Sequence, residues 1–419
     1  MQLKRVVITG LGAVTPLGLD VQSTWRSVLE GRSGAGPITL FDSTLFATRF
    51  ACEVRDFDPS FCLDSKEQRR IDRCTQLAYV AALEAWEDAH LPDSIDKERI
   101  GVIIGSGIGG IGTLYEQIHA YGRQENDTPH FSPFLIPKSI IDMSAGYIAI
   151  RLGLKGPNFA TAAACAASSV AIMTAMNHIR LGKADAILTG GCEAEITPVS
   201  IGGFNAMRAL STDNEHMLTA SRPFSKSRSG FVAGEGAAVL LLEEYEHATA
   251  RGANIYAEIV GYGSTADAFH MTAPDPAGQG AARVMKEAIE DAGIRPEDVD
   301  YINAHGTSTT LGDVAEVKAI LQVFGEHAFK MNISSTKSMT GHQLGASGAI
   351  EAMLTTLALQ EGIVPPTINH MDGDDDPEFD PRLNFTFNKA QKRAMTYALS
   401  NSFGFGGHNA SLLFKRYTN

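Results

Sequence analysis

Short runs of branched apolar residues, most of them closed by glycine or a small polar residue, recur along the chain at Arg5 to Thr9, Gly101 to Ile104, Ala186 to Thr189, Val239 to Leu242, Ile255 to Val260, Tyr301 to Asn303 and Ala398 to Ser402. They predict strands. Between them, apolar residues at helical spacing mark Arg73 to His90, Cys165 to Leu181, Ala281 to Gly293 and Gly345 to Gln360. Strands alternating with helices predict an α/β protein whose sheets are covered by helices on their faces. The order occurs twice, because Arg73 to His90 runs into Gly101 to Gly105 much as Ala281 to Gly293 runs into Val299 to Ala304. An internal duplication follows, with halves at 1–250 and 251–419 joined near Glu244 to Asn254, where Arg251-Gly252 interrupts the apolar pattern.

Composition narrows the function more than the fold. A chain of 419 residues holds two or three domain-sized units, and a net charge of −13 argues against nucleic acid or an anionic membrane as the main partner. Met1 to Gly10 has the form of a polar lead into a strand, not of a signal peptide. No apolar run approaches the roughly 20 residues that span a bilayer. The five cysteines (Cys52, Cys62, Cys74, Cys165, Cys192) show no CxxC spacing, which fits reduced thiols in a cytoplasm. The acidic stretch Met371 to Asp380 lacks the spacing and closing Glu of an EF-hand and is expected to be plain surface.

Four segments carry candidate chemistry. Cys165 sits among small residues in Asn158 to Ser169, at the predicted start of an apolar helix. Unpaired helix N–H groups there favour a thiolate, and small neighbours leave the sulfur uncovered. His305 lies in Asn303-Ala-His-Gly-Thr-Ser-Thr309 directly after a strand, and His342 closes Ser334 to His342. Both stand where strand ends meet turns, the usual place for catalysis in α/β proteins. Lys337 and Glu316 add opposite charges able to fix a histidine's protonation state. Ser400 to Asn409 ends in Gly404-Phe405-Gly406-Gly407, expected to be a mobile loop with an aromatic lid. A fifth segment, Gly105-Ser-Gly-Ile-Gly-Gly110, satisfies GxGxxG, but Gln124 to Pro129 looks like a loop where a dinucleotide fold needs a second strand. A tight turn lining a cavity is the preferred reading.

Together, in this order, the Cys165, His305, His342 and Phe405 segments resemble the β-ketoacyl-acyl-carrier-protein synthases, specifically the elongating type II enzymes. The resemblance spans the chain, from Val7-Ile-Thr-Gly-Leu-Gly12 through Gly230 to Gly236 and the final strand. It implies a thiolase-like five-layered α-β-α-β-α fold built from two similar halves, usually paired as a homodimer. By motif, Cys165 would take an acyl group from acyl carrier protein as a thioester. His305 and His342 would serve decarboxylation of malonyl-acyl-carrier protein, and the amides of Cys165 and Phe405 would hold the oxyanion. Lys337 and Glu316 would act as a charged pair behind the site. Ile108 and Phe204 would shape the acyl pocket, with Phe405 as gate, and His270, Thr307 and Thr309 would line the phosphopantetheine path. Lys66, Arg69, Arg70 and Arg208 match positions used to dock the carrier protein. The chain departs from many relatives at Asp127 to His130, where basic residues are often found, and at His408. No cofactor is required; Asn303, Glu351, Ser400 and Asn401 match residues that hold a structural monovalent cation, sodium or potassium, in some relatives.

Competing readings separate on single features. A thiolase needs a second cysteine in its C-terminal half, and none follows Cys192. Ketosynthases that start from acyl-CoA use Cys, His and Asn, whereas this chain has His342. A chain-length factor lacks the nucleophile. A ketosynthase of a type II polyketide or aryl-polyene pathway is the best alternative, since its chemistry is the same.

Overall fold

The computed structural model describes residues 3–123 and 130–418. Ten strands carry the fold: β1 (Val6–Val14), β2 (Ile100–Gly105), β3 (Asn158–Thr161), β4 (Ala186–Glu193), β5 (Gly236–Glu244), β6 (Ala257–Ala266), β7 (Val299–Asn303), β8 (Asn332–Ser334), β9 (Tyr397–Gly404) and β10 (His408–Arg416). They fall into two sets of five with the same pairing. In the first the order is β3-β2-β4-β5-β1, parallel between β2 and its two neighbours and antiparallel beyond. In the second, β8-β7-β9-β10-β6 repeats that pattern strand for strand. The sets join where Val6–Ile8 of β1 pair antiparallel with Ala257–Ile259 of β6.

Helices make the other three layers. α1 (Arg73–Asp88) and α2 (Met143–Leu152) cover the outer face of the first set, and α4 (Gln279–Ala292) and α5 (Thr310–Phe324) cover that of the second. Between the sets lie α3 (Ala167–Arg180) and α6 (Ser347–Glu361), each packing on strands of both. α6 is buried from Ser347 through Leu359, with no solvent face, as a helix between two sheets must be. The central apolar cluster accordingly joins Ile103, Ile172, Ile350, Leu354 and Leu412 across both halves. The five-layered expectation therefore holds.

Three strands escaped the sequence pattern. β3 lies in the small-residue run before Cys165, β8 has three residues, and β10 forms a hairpin with β9. The expected mobile loop Gly404 to Gly407 is the turn of that hairpin, with Gly406 at φ 85° and Gly407 at φ 74°. The acidic stretch is not plain surface either: Asp376 is paired with the buried Arg228, and Asp374 accepts from the Ser227 amide and hydroxyl at 2.9 and 2.6 Å.

Candidate active site

Cys165 stands two residues before α3, on a turn where Ala164 takes φ 47°. Facing it across the centre of the molecule, His342 stands five residues before α6. Equivalent helix starts thus deliver both groups, and His342 Nε2 lies 3.1 Å from Cys165 Sγ. The two helix starts interlock: Ser168 Oγ accepts the Ala349 amide at 2.9 Å, and a Cβ on Gly348 would fall 2.2 Å from Ser169 Oγ. The β9–β10 turn closes in from a third side. A Cβ on Gly404 would lie 2.7 Å from the Ala163 carbonyl oxygen, and the Phe405 amide points at the Cys165 sulfur.

The thiol does not behave as the helix argument predicted. Burial pushes Cys165 up to about 12, against the opposing pull of the Lys337 charge and the Phe405 N–H. Desolvation of a thiolate outweighs a helix end here, because the sulfur is buried and α3 begins only at Ala167. The thiol is protonated at neutral pH. Both histidines are held well below the ordinary imidazole range, by burial first and the Lys337 charge second, so they are neutral. Behind His342, Nδ1 meets Ser347 Oγ at 2.9 Å, and that oxygen also accepts the Gln343 amide at 2.9 Å. His305 meets His342 edge-on at 5.4 Å between ring centres, and its buried Nδ1 has no hydrogen-bond partner.

Lys337 and Glu316 are both buried, but they are not each other's partners. Lys337 Nζ pairs with Glu351, while Glu316 accepts the amides of His305 and Gly306 at 2.9 and 2.8 Å and Asn401 Nδ2 at 3.2 Å. Glu316 therefore fixes the His305 turn through its backbone, and the lysine works through its charge. Sequence reasoning also missed Glu193, which accepts from the amides of Gly107, Ile108 and Gly345 and from Ser106 Oγ. A glutamate closing the run Ala186 to Cys192, whose one polar side chain is Thr189, was the available signal. With those amides engaged, the Gly105 to Gly110 turn has none left to cradle a phosphate.

A cavity of about 350 Å³ opens over these groups, lined by Cys165, His305, His342, Phe405, Thr307 and Thr309, with Arg208 also in its wall. Thr307 and Thr309 join Oγ1 to Oγ1 at 3.0 Å. His270 does not line the cavity; it is exposed, and its Nδ1 accepts the Thr272 and Ala273 amides at 3.1 Å each. Ile108 and Phe204 lie outside the cavity too. Phe204 connects to it indirectly, edge-on to Phe231 at 5.4 Å, which is edge-on to His342 at 5.3 Å. Ile108 is 37% exposed in the single chain. Lys66, Arg69 and Arg70 are exposed on the helix Ser65–Arg70. Of the departure noted at Asp127 to His130, residues 127–129 lie outside the described residues.

Of the four residues matched to a cation, Glu351 Oε2 and Ser400 Oγ are buried oxygens without a partner. The Asn401 side chain is committed to Glu316 and Ser411, and Asn303 Nδ2 donates to the Glu351 carbonyl at 3.4 Å. Among the described residues, no group of three or more His, Cys, Asp or Glu is placed to hold a metal ion.

Known proteins share both the sequence and the fold. Residues 3–248 match the model for the N-terminal domain of β-ketoacyl synthases, and residues 256–371 the model for the C-terminal domain. A 3-oxoacyl-[acyl-carrier-protein] synthase 2 from Staphylococcus aureus (strain COL) is 52% identical over 99% of both chains. One from Synechocystis sp. is 50% identical over 100% of this chain and 99% of its own. Among solved structures, a β-ketoacyl synthase from Burkholderia phymatum superposes with a TM-score of 0.91 at 37% identity, covering 99% of this chain and 100% of its own. A type II polyketide ketosynthase, in complex with its acyl-carrier protein and bound to the hexaketide, gives 0.92 at 36% identity over 100% of both chains. With a paired thiol and imidazole at the meeting point of two duplicated halves and family models matching both, this chain belongs to the β-ketoacyl synthase family.

Proposed function

We propose that this chain elongates fatty acids by decarboxylative Claisen condensation, joining an acyl group on Cys165 to malonyl-acyl-carrier protein and releasing 3-oxoacyl-acyl-carrier protein. The observation that carries the reading is the contact between a protonated thiol and a neutral imidazole, with a second neutral histidine beside it and an amide aimed at the sulfur. In the first half-reaction Cys165 Sγ attacks the acyl thioester and its proton passes to His342 Nε2. That proton then leaves with the carrier's thiol. Ser347 suits this, since its hydroxyl can accept from Nδ1–H or donate to Nδ1 as the ring changes tautomer.

In the second half-reaction the malonyl C–C bond breaks, CO₂ departs and the electron pair forms an enolate. N–H groups of His305 and His342 stabilise its oxygen; neutral rings supply them without a buried cation. The enolate carbon attacks the acyl-cysteine, the oxyanion rests on the Cys165 and Phe405 amides, and collapse returns the thiolate, which takes up a proton. The orphaned oxygens of Glu351 and Ser400 fit a structural monovalent cation such as sodium or potassium, with no step routed through it.

Acyl carrier protein is the substrate carrier, docking on Lys66, Arg69, Arg70 and Arg208. A homodimer is supported by the free edge of β3 and by exposed Ile108, Ile118, Phe131, Ile136 and Ile140 on the neighbouring turn and helices. No described helix is long and apolar enough to cross a membrane, and all five cysteines are free, which supports a cytoplasmic enzyme. A type II polyketide synthase would use the same site on a different chain, a reading favoured by the structural likeness to the hexaketide-bound ketosynthase. Intact-mass analysis after incubation with acyl-loaded carrier proteins tests the proposal. An acyl adduct on the wild type and none on Cys165→Ala is expected; no adduct with any carrier sinks it.

A further inference from the structure

Burial keeps His342 neutral, so its ring carries a single proton, and the groups behind the ring decide which nitrogen holds it. Ser347 opens α6 with its Oγ 2.9 Å from His342 Nδ1, and the same oxygen accepts the Gln343 amide at 2.9 Å. Beyond it stands the Gln343 side chain, whose Oε1 lies 3.4 Å from Ser347 Oγ. The far end of that side chain settles its orientation. Gln343 Nε2 is 2.6 Å from the Thr340 carbonyl oxygen, which can only accept, so the nitrogen faces Thr340 and the oxygen faces Ser347. All four residues are buried.

Counting donors and acceptors separates the two tautomers. A serine hydroxyl has one hydrogen to give and room for two incoming ones. The Gln343 amide fills one of those places. If Nδ1 bears the ring proton, it fills the other, the hydroxyl hydrogen turns to Gln343 Oε1, and every group from His342 through Ser347 and Gln343 to Thr340 is paired. If Nε2 bears it, the hydroxyl must donate to Nδ1, and the buried Gln343 Oε1 has no other donor among the described residues. An orphaned buried acceptor is costly, so the first arrangement wins. The other side of the ring agrees with it: a protonated Cys165 thiol needs an acceptor, and a bare Nε2 at 3.1 Å supplies one.

We infer that Ser347 and Gln343 are positioning residues that hold His342 as its Nδ1–H tautomer and thereby make Nε2 the base for Cys165. The inference rests on the ketosynthase reaction above and deepens its first step. The thiol proton passes to the bare Nε2 while a sulfur electron pair forms the bond to the acyl carbon, and the Nδ1 proton stays on the ring, held by Ser347. The proton on Nε2 then leaves with the carrier's sulfur as its thioester bond breaks. Condensation asks His342 for an N–H at Nε2 instead, so the bias favours acyl loading over malonyl decarboxylation.

Nitrogen-15 spectra of the His342 ring, assigned by their absence in His342→Ala, read the tautomer directly in the resting enzyme. The wild type should show a protonated Nδ1 and a bare Nε2. Gln343→Met, which removes the carbonyl and keeps the length of the side chain, should shift the ring toward the Nε2–H form and slow acyl-Cys165 formation by about tenfold, while malonyl decarboxylation holds or rises. Ser347→Ala, which unties Nδ1, should slow loading at least as much. A wild-type ring protonated mainly at Nε2 overturns the proposal and leaves the ketosynthase reading standing, as does an equal loss of loading and decarboxylation in Gln343→Met. A wild type that forms no acyl adduct overturns both.

Discussion

The turns after β2 and β7 occupy equivalent places in the two halves, and each is held by a buried glutamate that accepts its backbone amides: Glu193 for Gly107 and Ile108, Glu316 for His305 and Gly306. Their side chains differ in kind. The first turn presents Ile108 and the second His305, so one scaffold element shapes an apolar surface and its copy delivers a proton donor. The helix starts diverge in the same manner, with Cys165 before α3 and His342 before α6. Duplication therefore fixes where groups are placed, while the residue placed there decides the chemistry, and stacking the halves brings nucleophile and base into contact.

The nucleophile is where the two halves differ most. Cys165→Ala should lower condensation by about 10³-fold or more, because no residue in the equivalent place of the other half can take over the acyl group. Product formation with acyl and malonyl carriers measures it. The glutamates come next. Glu316→Ala should lower malonyl decarboxylation by about 10- to 100-fold by freeing the His305 turn, yet leave acyl loading of Cys165 within a few-fold; Glu193→Ala should alter the chain-length profile of loading and spare decarboxylation. If both variants damage both steps alike, the halves do not divide the labour as described. At the first turn itself, Ile108→Phe should suppress loading of long primers several-fold and spare short ones, and equal loss of both would remove Ile108 from the pocket.

The smallest effect is on stability. Unfolded histidines take up protons as the pH falls through 6.5, while His305 and His342 in the folded protein, held well below that value, do not. The unfolded state then binds more protons, so stability should fall as the pH drops below 6.5. Urea midpoints between about pH 5 and 7 should decline less steeply in His342→Ala than in the wild type. An unchanged slope would mean that this histidine is not held neutral by the stacking of the halves.

Much of this was legible in the residues. Runs such as Ala186 to Thr189 and helical spacing such as Arg73 to His90 encode local conformation, and β3 and β8 were lost because four and three residues are too few to show a period. Cys165, His305, His342 and Phe405 could be picked out from their flanking small and hydroxyl residues. Their electrical states could not. The sequence suggested a helix-stabilised thiolate and a Lys337–Glu316 pair; the structure holds a protonated thiol and pairs Lys337 with Glu351.

The duplicated α/β plan follows from periodicity, and the family and the residues available for chemistry follow from local motif. Which thiol is desolvated and which carboxylate answers which amide were settled by the packing of the folded chain. Desolvation and hydrogen bonding depend on distances through space, and 177 positions separate Cys165 from the histidine that touches its sulfur.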